Sequence, residues 1–197
     1  MLGIVNKALV DLIRKQHGDE TWQEVRRAAG VDDDIFLSGE RYPDHVTYSL
    51  VSAASAVLDA SPEALLESFG EHWIRFTAEE GYGALLGAIG DNLSGFLANL
   101  ESFHTRVVMM LPNVEPPGFE ATDIRPGAMR LHYRTSRPGL APFVVGILRG
   151  LGIRFGERIE ARLVESRDLG ADHDVFEVTW SDGAEPPLPG DRRDRRG

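Results

Sequence analysis

The sequence predicts an α+β fold, and two observations carry that prediction. Through the first two thirds of the 197 residues, apolar side chains recur at spacings of three and four, which is typical of amphipathic helices. In the last third, segments in which apolar and polar side chains alternate, which is typical of strands, lie on either side of one helix. Three prolines, Pro112, Pro116 and Pro117, break the helical spacing between these parts. We expect one domain over residues 1–180.

The helices are placed by their apolar faces and by the residues that begin or end them. Ser61 is predicted to cap one helix, because Pro62 follows it at the first helical position. Gly18 and Gly30 are predicted to end two others. Residues 32–43 are expected to form an acidic loop. The segments expected to be helical are residues 4–18, 21–29, 47–58, 62–76, a short turn region at 81–90 and the stretch 96–111.

The last third is predicted to contain four strands and one helix. Two of the strands form a hairpin over Pro126 and Gly127, since this dipeptide marks a turn. The predicted strands are residues 119–124, 128–137, 158–167 and 173–180, and the helix is residues 140–155. The tail from 181 to 197 is rich in proline, glycine and charge, and we expect it to be disordered.

Composition excludes several classes of protein. A formal net charge of -10 argues against nucleic acid as a partner, because phosphate binding needs a basic surface. No run of 18 apolar residues occurs, and charged residues interrupt the first helix, so we expect neither a membrane span nor a signal peptide, and a cytoplasmic location. The absence of cysteine excludes disulfides, iron–sulfur clusters and thiolate-ligated metals.

His104 is the first candidate site residue. It lies on the apolar stripe of the segment 96–111, one turn after Leu100 and one turn before Val108, and we expect this face to point into the core. A buried imidazole needs a hydrogen-bond partner or a metal, because an unpaired buried polar group is costly. A lone histidine on an apolar face is more often a hydrogen-bonded core residue, so both interpretations stay open at this point.

A second candidate group follows on the strand predicted over residues 129–137. Side chains alternate across a strand, so Tyr133, Thr135 and Arg137 are expected to share one face. Phenol, hydroxyl and guanidinium donors at this spacing suit a carboxylate or a phosphate. The alternative is an edge strand whose polar end simply reaches solvent.

Taken together, the two groups predict a particular ligand. The first group, a histidine in an apolar pocket, suits a metal centre within an apolar molecule. The second group, Tyr133, Thr135 and Arg137 at the rim of that pocket, suits carboxylates at the edge of the same molecule. Haem b is such a molecule, and histidine is one of its usual axial ligands.

Eight segments of the chain, taken in order, also match those of one known family. They are MLGIVNKAL at 1–9, YPDHVTYSLVSAAS at 42–55, FGEHWIRFT at 69–77, GYGALL at 81–86, FLANLESFHTRV at 96–107, PPGF at 116–119, HYRTSRPGLAPFVVGIL at 132–148 and DHDVFEV at 172–178. Through them the chain resembles the haem-nitric oxide/oxygen binding (H-NOX) domain, which is related to the haem domain of soluble guanylate cyclase. The resemblance implies a helical N-terminal part packed on a C-terminal part with a four-stranded antiparallel sheet, and haem buried between them.

The resemblance also assigns site residues. It implies that His104 is the axial ligand of the haem iron. The family's Tyr-x-Ser-x-Arg propionate motif falls on Tyr133, Thr135 and Arg137, and threonine keeps the hydroxyl of the serine it replaces. Pro117 matches the proline that packs on the haem and distorts it.

The segment that follows Arg137 predicts which gas binds the haem iron. Oxygen-binding members carry a distal tyrosine there, whereas the best-matching position here is Pro142 and no hydroxyl lies between Pro138 and Leu151. Because an apolar pocket donates no hydrogen bond to bound oxygen, we expect ferrous haem that binds NO and CO and little O2. The residues expected to line the distal side are Val5, Leu9, Trp73, Leu140 and Leu148.

The function implied by the resemblance is a gas sensor that is not itself an enzyme. NO is expected to cause release of His104, which shifts the helical part relative to the strand-bearing part and alters a partner. Since residues 1–180 hold no kinase or cyclase module, we expect a partner in trans, a histidine kinase or a diguanylate cyclase/phosphodiesterase.

Other functions remain as alternatives. An oxygen-binding sensor, a haem carrier without a signalling role and a non-haem ligand-binding scaffold are each compatible with parts of the sequence. A haem peroxidase or NO dioxygenase is disfavoured, because no distal histidine and arginine pair is evident.

The remaining polar motifs are interpreted as structural. The run Asp172-His173-Asp174 is predicted to be a polar turn that leads into a strand, and not a metal site, because the sequence offers no further ligand. His17, His45, His72 and His132 lie in polar contexts and are expected at the surface.

Overall fold

A computed structural model describes residues 1–110 and 115–182. The helices are α1 (Gly3–Ala28), α2 (Asp44–Val57), α3 (Pro62–Thr77), α4 (Gly83–Gly87), α5 (Leu93–Met110) and α6 (Ala141–Phe155). The strands are β1 (Gly118–Arg125), β2 (Ala128–Arg134), β3 (Glu157–Glu165) and β4 (Asp174–Asp182). A π-helical turn (Ala78–Tyr82) follows α3, and a short 3-10 turn (Arg167–Leu169) follows β3. The predicted end of the 96–111 helix at Leu111, and the predicted disordered tail beyond Asp182, lie outside the described residues.

The helix boundaries follow the residues that were expected to set them. The Ser61 hydroxyl accepts a hydrogen bond from the backbone N–H of Ala64 at 3.1 Å, so the predicted cap at the start of α3 is confirmed. Gly18 has a φ of 87° and a ψ of 169°, which lie outside the helical region, so the first helix is interrupted there as expected, and α1 consists of two helices that meet at a kink.

The sheet has the predicted four antiparallel strands, in the order β1-β2-β4-β3. Its inner face carries the buried residues Met129, Leu131 and Tyr133 of β2. The prediction that this strand runs to Arg137 is wrong, because β2 ends at Arg134. Beyond that point the Thr135 hydroxyl accepts a hydrogen bond from the Arg137 backbone N–H at 3.1 Å, and this local bond replaces the strand ladder.

Two hydrophobic cores lie side by side. The first joins α1, α2 and α3, and the second joins α5, α6 and the inner face of the sheet. The axes of α3 and α6 approach closely because Gly70 and Gly146 face the partner backbone. A Cβ on Gly70 would collide with the Phe143 carbonyl, and one on Gly146 would collide with the Glu67 carbonyl. Trp73, one turn beyond Gly70, packs against both cores.

The apolar stripe of α5 is buried along only part of its length. Phe96, Leu97 and Leu100 are buried, whereas Val108 is 37% exposed, so the expectation that the stripe stays in the core up to Val108 is wrong. His104 lies where the helix leaves the core. None of the helices within residues 1–110 and 115–182 is both long and apolar enough to cross a membrane.

Candidate functional site

A cavity of about 540 Å³ lies between the two cores. Its volume is within the range of about 300–1,000 Å³ that is typical of cofactor and small-molecule sites. Residues of five helices and of β1 and β2 border it. The lining residues are Met1, Val5, Thr47, Tyr48, Val51, Ser52, Pro62, Leu66, Phe69, Trp73, His104, Pro117, Phe119, Tyr133, Thr135, Arg137, Gly139, Leu140, Phe143, Val144 and Ile147.

His104 is at the cavity wall and is only partly buried. Its Nδ1 is buried and has no hydrogen bond to any residue in the described part of the chain. Its neighbours are aromatic, with ring centroids 5.5 Å away at Phe103 and 5.7 Å away at Phe119. Burial lowers the pKa of His104 to about 4, although the nearby Pro117 backbone acts in the opposite direction. The imidazole is therefore neutral at neutral pH, which is the state that coordinates metals.

Tyr133 and Thr135 lie on the same cavity. Burial raises the pKa of Tyr133 to about 12, so its phenol stays protonated and can donate a hydrogen bond. The Phe119 ring lies between the rings of His104 and Tyr133, 5.7 Å from the first and 5.1 Å from the second. Although Thr135 lies beyond the strand, the turn after β2 still brings it to the cavity with Tyr133.

Arg137 reaches the cavity from that turn and is held by two contacts. Its Nε donates to the Asp44 carboxylate at 2.9 Å, and its Nη1 donates to the Glu115 carbonyl at 3.0 Å. Neither contact uses Nη2. Asp44 also accepts a hydrogen bond from the Met1 amine. Partial burial acts to raise the pKa of Asp44, but these two cationic partners outweigh it and hold that pKa below its usual value. Asp44 is thus an ionised positioning group for the guanidinium.

The residues expected on the distal side divide into two groups. Val5, Trp73 and Leu140 line the cavity, whereas Leu9 and Leu148 do not. Leu9 is fully buried in the first core and Leu148 is buried in the second. The expectation for these two leucines stays a prediction; a helical residue one turn from a lining residue can point into the neighbouring core, which accounts for where the structure places them. Phe143, Val144 and Ile147 take the place on α6 that was expected for Leu148.

Sequence reasoning missed the contribution of α2. Thr47, Tyr48 and Ser52 bring hydroxyl groups to the cavity from a segment outside 138–151. The Thr47 hydroxyl donates to Asn6 at 2.6 Å, and the Tyr48 hydroxyl donates to the Pro138 carbonyl at 2.9 Å. Thr47, Tyr48 and Ser52 lie in the segment 42–55 that carried the family resemblance, although their small and polar side chains did not by themselves indicate that this face would meet a ligand. Phe119 was also missed, although it lies in the PPGF segment that carried the family resemblance.

Another histidine differs from its prediction. His72 was expected at the surface but is 2% exposed. Its Nε2 hydrogen-bonds to the Asp11 carboxylate at 2.8 Å, and Arg75 donates to its Nδ1 at 2.9 Å. It does not border the cavity described above, and both of its nitrogens have protein partners.

Comparison with known proteins establishes the family. A sequence profile described as Haem-NO-binding matches residues 2–163. The chain belongs to the Haem-NO-binding family. These are H-NOX sensor domains, whose cofactor is haem and which are not themselves catalytic. Among curated relatives, the soluble guanylate cyclase gcy-32 of Caenorhabditis elegans is 30% identical over 181 residues, which cover 88% of this chain and 26% of that protein.

Solved structures of the Haem-NO-binding family share the fold. An H-NOX protein from S. oneidensis in the Fe(II)NO ligation state superposes with a TM-score of 0.82 at 19% identity, covering 92% of this chain and 99% of that one. The Fe(II) unliganded H-NOX protein from K. algicida superposes with a TM-score of 0.80 at 23% identity, covering 92% and 97%. The predicted H-NOX fold is therefore confirmed. The chain spans about a quarter of the length of the curated guanylate cyclases, 26% for gcy-32 and 22% for gcy-34.

Proposed function

We propose that this chain is a haem-based sensor of nitric oxide that regulates a separate signalling protein. One observation carries the proposal: a partly buried, neutral histidine, whose buried Nδ1 has no hydrogen-bond partner among the described residues, borders the same cavity as a phenol, a hydroxyl and a guanidinium. His104 suits the haem iron as a ligand, and Tyr133, Thr135 and Arg137 suit the haem propionates. Pro117 also lines the cavity and suits a contact with the porphyrin face.

The residues around the cavity would have separate roles in holding haem. When bound, haem supplies an iron with an open coordination position for a diatomic gas. His104 offers a neutral nitrogen to that iron, and no protein hydrogen bond anchors its Nδ1. Asp44 and Glu115 hold Arg137 in place for a carboxylate. Apolar side chains of α1, α3 and α6 exclude water from the rest of the cavity.

The packing of α5 supports the proposal that the C-terminal end of this helix, near His104, can move. The last turns of α5 leave the core, since Val108 is 37% exposed and Met109 is 77% exposed. Few buried contacts hold such a segment, and segments of this kind move at low free-energy cost. Detachment of His104 would thus free the end of α5 without breaking a hydrogen bond at Nδ1. The freed end would alter the surface that a partner contacts.

Selectivity for NO and CO over O2 is part of the proposal. Two of the three α2 hydroxyls at the cavity, those of Thr47 and Tyr48, already donate to protein acceptors. A hydroxyl that already donates to a protein acceptor is not free to donate to O2, so these two would not give O2 the hydrogen bond that stabilises it. Ser52 is the remaining hydroxyl on α2 and is the residue to examine first if O2 binds.

The absorption spectrum of the reduced, haem-loaded protein tests these points. NO and CO should each change the spectrum, exposure to air should leave it unchanged, and the NO-treated form should be five-coordinate because His104 has left. A stable change in air would contradict the selectivity, and a Ser52→Ala variant would then show whether Ser52 is the donor. Absence of a haem band after reconstitution would contradict the cofactor assignment for this chain.

The partner is proposed to be a histidine kinase or a diguanylate cyclase/phosphodiesterase, acting in trans. Its identity stays a prediction, as does a cytoplasmic location. His104→Gly should affect the partner's activity as NO does, because both remove the histidine from the iron. A variant that behaves like the NO-free wild type would contradict the proposed signal.

A further inference from the structure

Two histidines contact each other through their ring nitrogens on the outer face of the sheet. His132 of β2 and His173, just before β4, have their rings 5.1 Å apart between centroids, and Nδ1 of the first lies 2.8 Å from Nε2 of the second. His132 projects from the opposite face of β2 to Tyr133, because side chains alternate along a strand. The pair is therefore separate from the cavity.

The other nitrogen of each ring is held by an oxygen. The Asp172 carboxylate lies 2.9 Å from Nδ1 of His173, and the Thr122 hydroxyl lies 2.9 Å from Nε2 of His132. A carboxylate only accepts hydrogen bonds, so Nδ1 of His173 carries the proton and its Nε2 presents a lone pair. The Thr122 hydroxyl can accept as well as donate, and when it accepts, Nδ1 of His132 presents a lone pair too.

In that arrangement two lone pairs face each other and need a cation between them, whereas when Thr122 donates instead, Nδ1 of His132 carries a proton and donates it to His173. A single shared proton satisfies the pair, and so does a metal ion. Histidine ligands of metals characteristically donate their second ring N–H to a carboxylate or another oxygen, which fixes the tautomer and the ring orientation. Asp172 and Thr122 stand in those positions for both rings of this pair.

We propose that His132 and His173 bind a divalent transition-metal ion such as Cu²⁺ or Zn²⁺, which takes the place of the shared proton. Imidazole nitrogens lie about 2.0–2.1 Å from such ions, so two of them are about 2.8–3.0 Å apart at the right angle of a square-planar Cu²⁺ site and about 3.3–3.4 Å apart at the tetrahedral angle of zinc. The observed separation of 2.8 Å matches the square-planar spacing and would have to widen by about 0.5 Å for zinc. Binding then requires a tilt of the two rings that aims both lone pairs at one point.

The charges around the pair are compatible with a cation. The two arginines that flank His132 on the outer face have carboxylate partners: Arg134 pairs with Glu120 at 2.9 Å, and Arg130 lies 3.8 Å from Glu165. Asp172 adds a negative charge at the pair itself. In the described part of the chain no third histidine, cysteine or carboxylate completes a set of three ligands, so water would fill the other positions.

The ligand set also predicts which ions bind. Imidazole favours copper, nickel and zinc, whereas Mg²⁺ and Ca²⁺ prefer oxygen ligands. Affinity should follow the general order in which Cu²⁺ exceeds Ni²⁺ and Zn²⁺. The turn Asp172-His173-Asp174 lacked a further ligand in the sequence, and the pairing of β2 with β4 supplies it from 41 residues away.

Equilibrium dialysis of the haem-loaded protein, prepared without a polyhistidine tag, tests the proposal by metal analysis. We expect about one Zn²⁺ or Cu²⁺ per chain beyond the haem iron, and no bound Mg²⁺. His132→Asn and His173→Asn should each abolish this binding, and Asp172→Asn should weaken it about 10–100-fold, the usual effect of removing such a supporting group. His45→Asn, which changes an exposed histidine elsewhere, should leave it intact.

Two outcomes would overturn the proposal. One is binding that persists in both histidine variants, which would place the metal elsewhere. The other is an absence of bound Zn²⁺ and Cu²⁺ in the wild type, which would leave the pair as a hydrogen bond only. Should His132→Asn fail to fold, His173→Asn decides, since His173 precedes the strand. The haem spectrum of each variant reports separately on the proposed gas sensor.

Discussion

His72 and His104 differ in the hydrogen-bond partners that the protein provides for their imidazole rings. His72 has partners on both nitrogens, one from α1 and one from its own helix. His104 has aromatic neighbours, and its Nδ1 has no hydrogen bond to any described residue. His72 is buried and His104 is partly buried, and both have a lowered pKa, mainly because burial disfavours the charged form. The difference lies in whether the neutral ring is satisfied by protein.

This comparison explains why one histidine belongs to a site and the other to the fold. A satisfied imidazole contributes to stability through its hydrogen bonds, and removing it removes those bonds. An unsatisfied one next to a cavity costs stability unless a ligand completes it. The predictions below test this contrast, in order of decreasing effect.

Replacement of His104 by glycine should have the largest effect. Without its proposed axial ligand, the reduced protein should lose its five-coordinate haem spectrum and bind haem at least about tenfold more weakly, which corresponds to about 1.4 kcal/mol. Added imidazole should restore the spectrum by entering the vacated space. His72→Ala is the matched control, and it should keep a wild-type haem spectrum. A normal spectrum for His104→Gly would break the contrast between the two histidines.

Replacement of His72 by alanine should lower stability and not haem binding. Asp11 and Arg75 would each lose a hydrogen bond, and each bond contributes a net of about 0.5–1.5 kcal/mol, so the two together contribute about 1–3 kcal/mol. The free energy of unfolding, measured by urea titration, should fall by that amount. His45→Ala, at an exposed position, should change it by less than about 0.5 kcal/mol. Equal values for the two variants would mean that the bonds of His72 contribute little.

The hydroxyl of Thr135 should have a smaller effect, confined to the cavity. Thr135→Val keeps the shape but removes a hydrogen-bond group, which is worth about 0.5–1.5 kcal/mol. The rate of haem transfer to an excess of a haem acceptor should rise accordingly. Thr135→Ser keeps the hydroxyl and should behave as the wild type. A rate that rises equally in both variants would assign the effect to the lost methyl group.

The pH dependence of stability should show the smallest effect. Burial lowers the pKa of His72, while its bond to Asp11 acts in the opposite direction. The unfolded chain therefore binds a proton at a higher pH than the folded one, so the stability that His72 contributes is complete above the ordinary pKa of about 6.5 and declines as the pH falls below it. The difference in unfolding free energy between wild type and His72→Ala should shrink from about pH 7.5 to about pH 5.5. A difference that grows would mean that Asp11 stabilises a protonated ring.

Sequence patterns predicted a helix or strand correctly where residues close together in the sequence determine it. Ser61 and Pro62 set the start of α3, and the alternation in β2 identified the buried face that carries Tyr133. They failed where a local bond competes with a regular element. The bond between Thr135 and the Arg137 N–H ends β2 early, and alternation alone gives no indication of that turn.

The candidate site was predicted in outline because its polar members are rare residue types on otherwise apolar elements. His104, Tyr133, Thr135 and Arg137 all border the cavity, as does Pro117. The apolar members were harder to assign, since an apolar side chain packs equally well against a core or a ligand. Leu9 and Leu148 entered the cores, and Phe143 and Phe119 took positions on the cavity.

The sequence by itself determined the fold class, the four strands and the residues with the chemistry to hold a metal-centred ligand with carboxylates. Those features depend on periodicity and residue type, which are local properties of the chain. Only the tertiary structure decided which histidine has hydrogen-bond partners, because Asp11, a partner of His72, lies 61 residues away in the sequence. It also decided that His132 meets His173, since that contact depends on the register between β2 and β4. Hydrogen-bond partners and cavity walls are set by distant segments, and their arrangement is a property of the packed molecule.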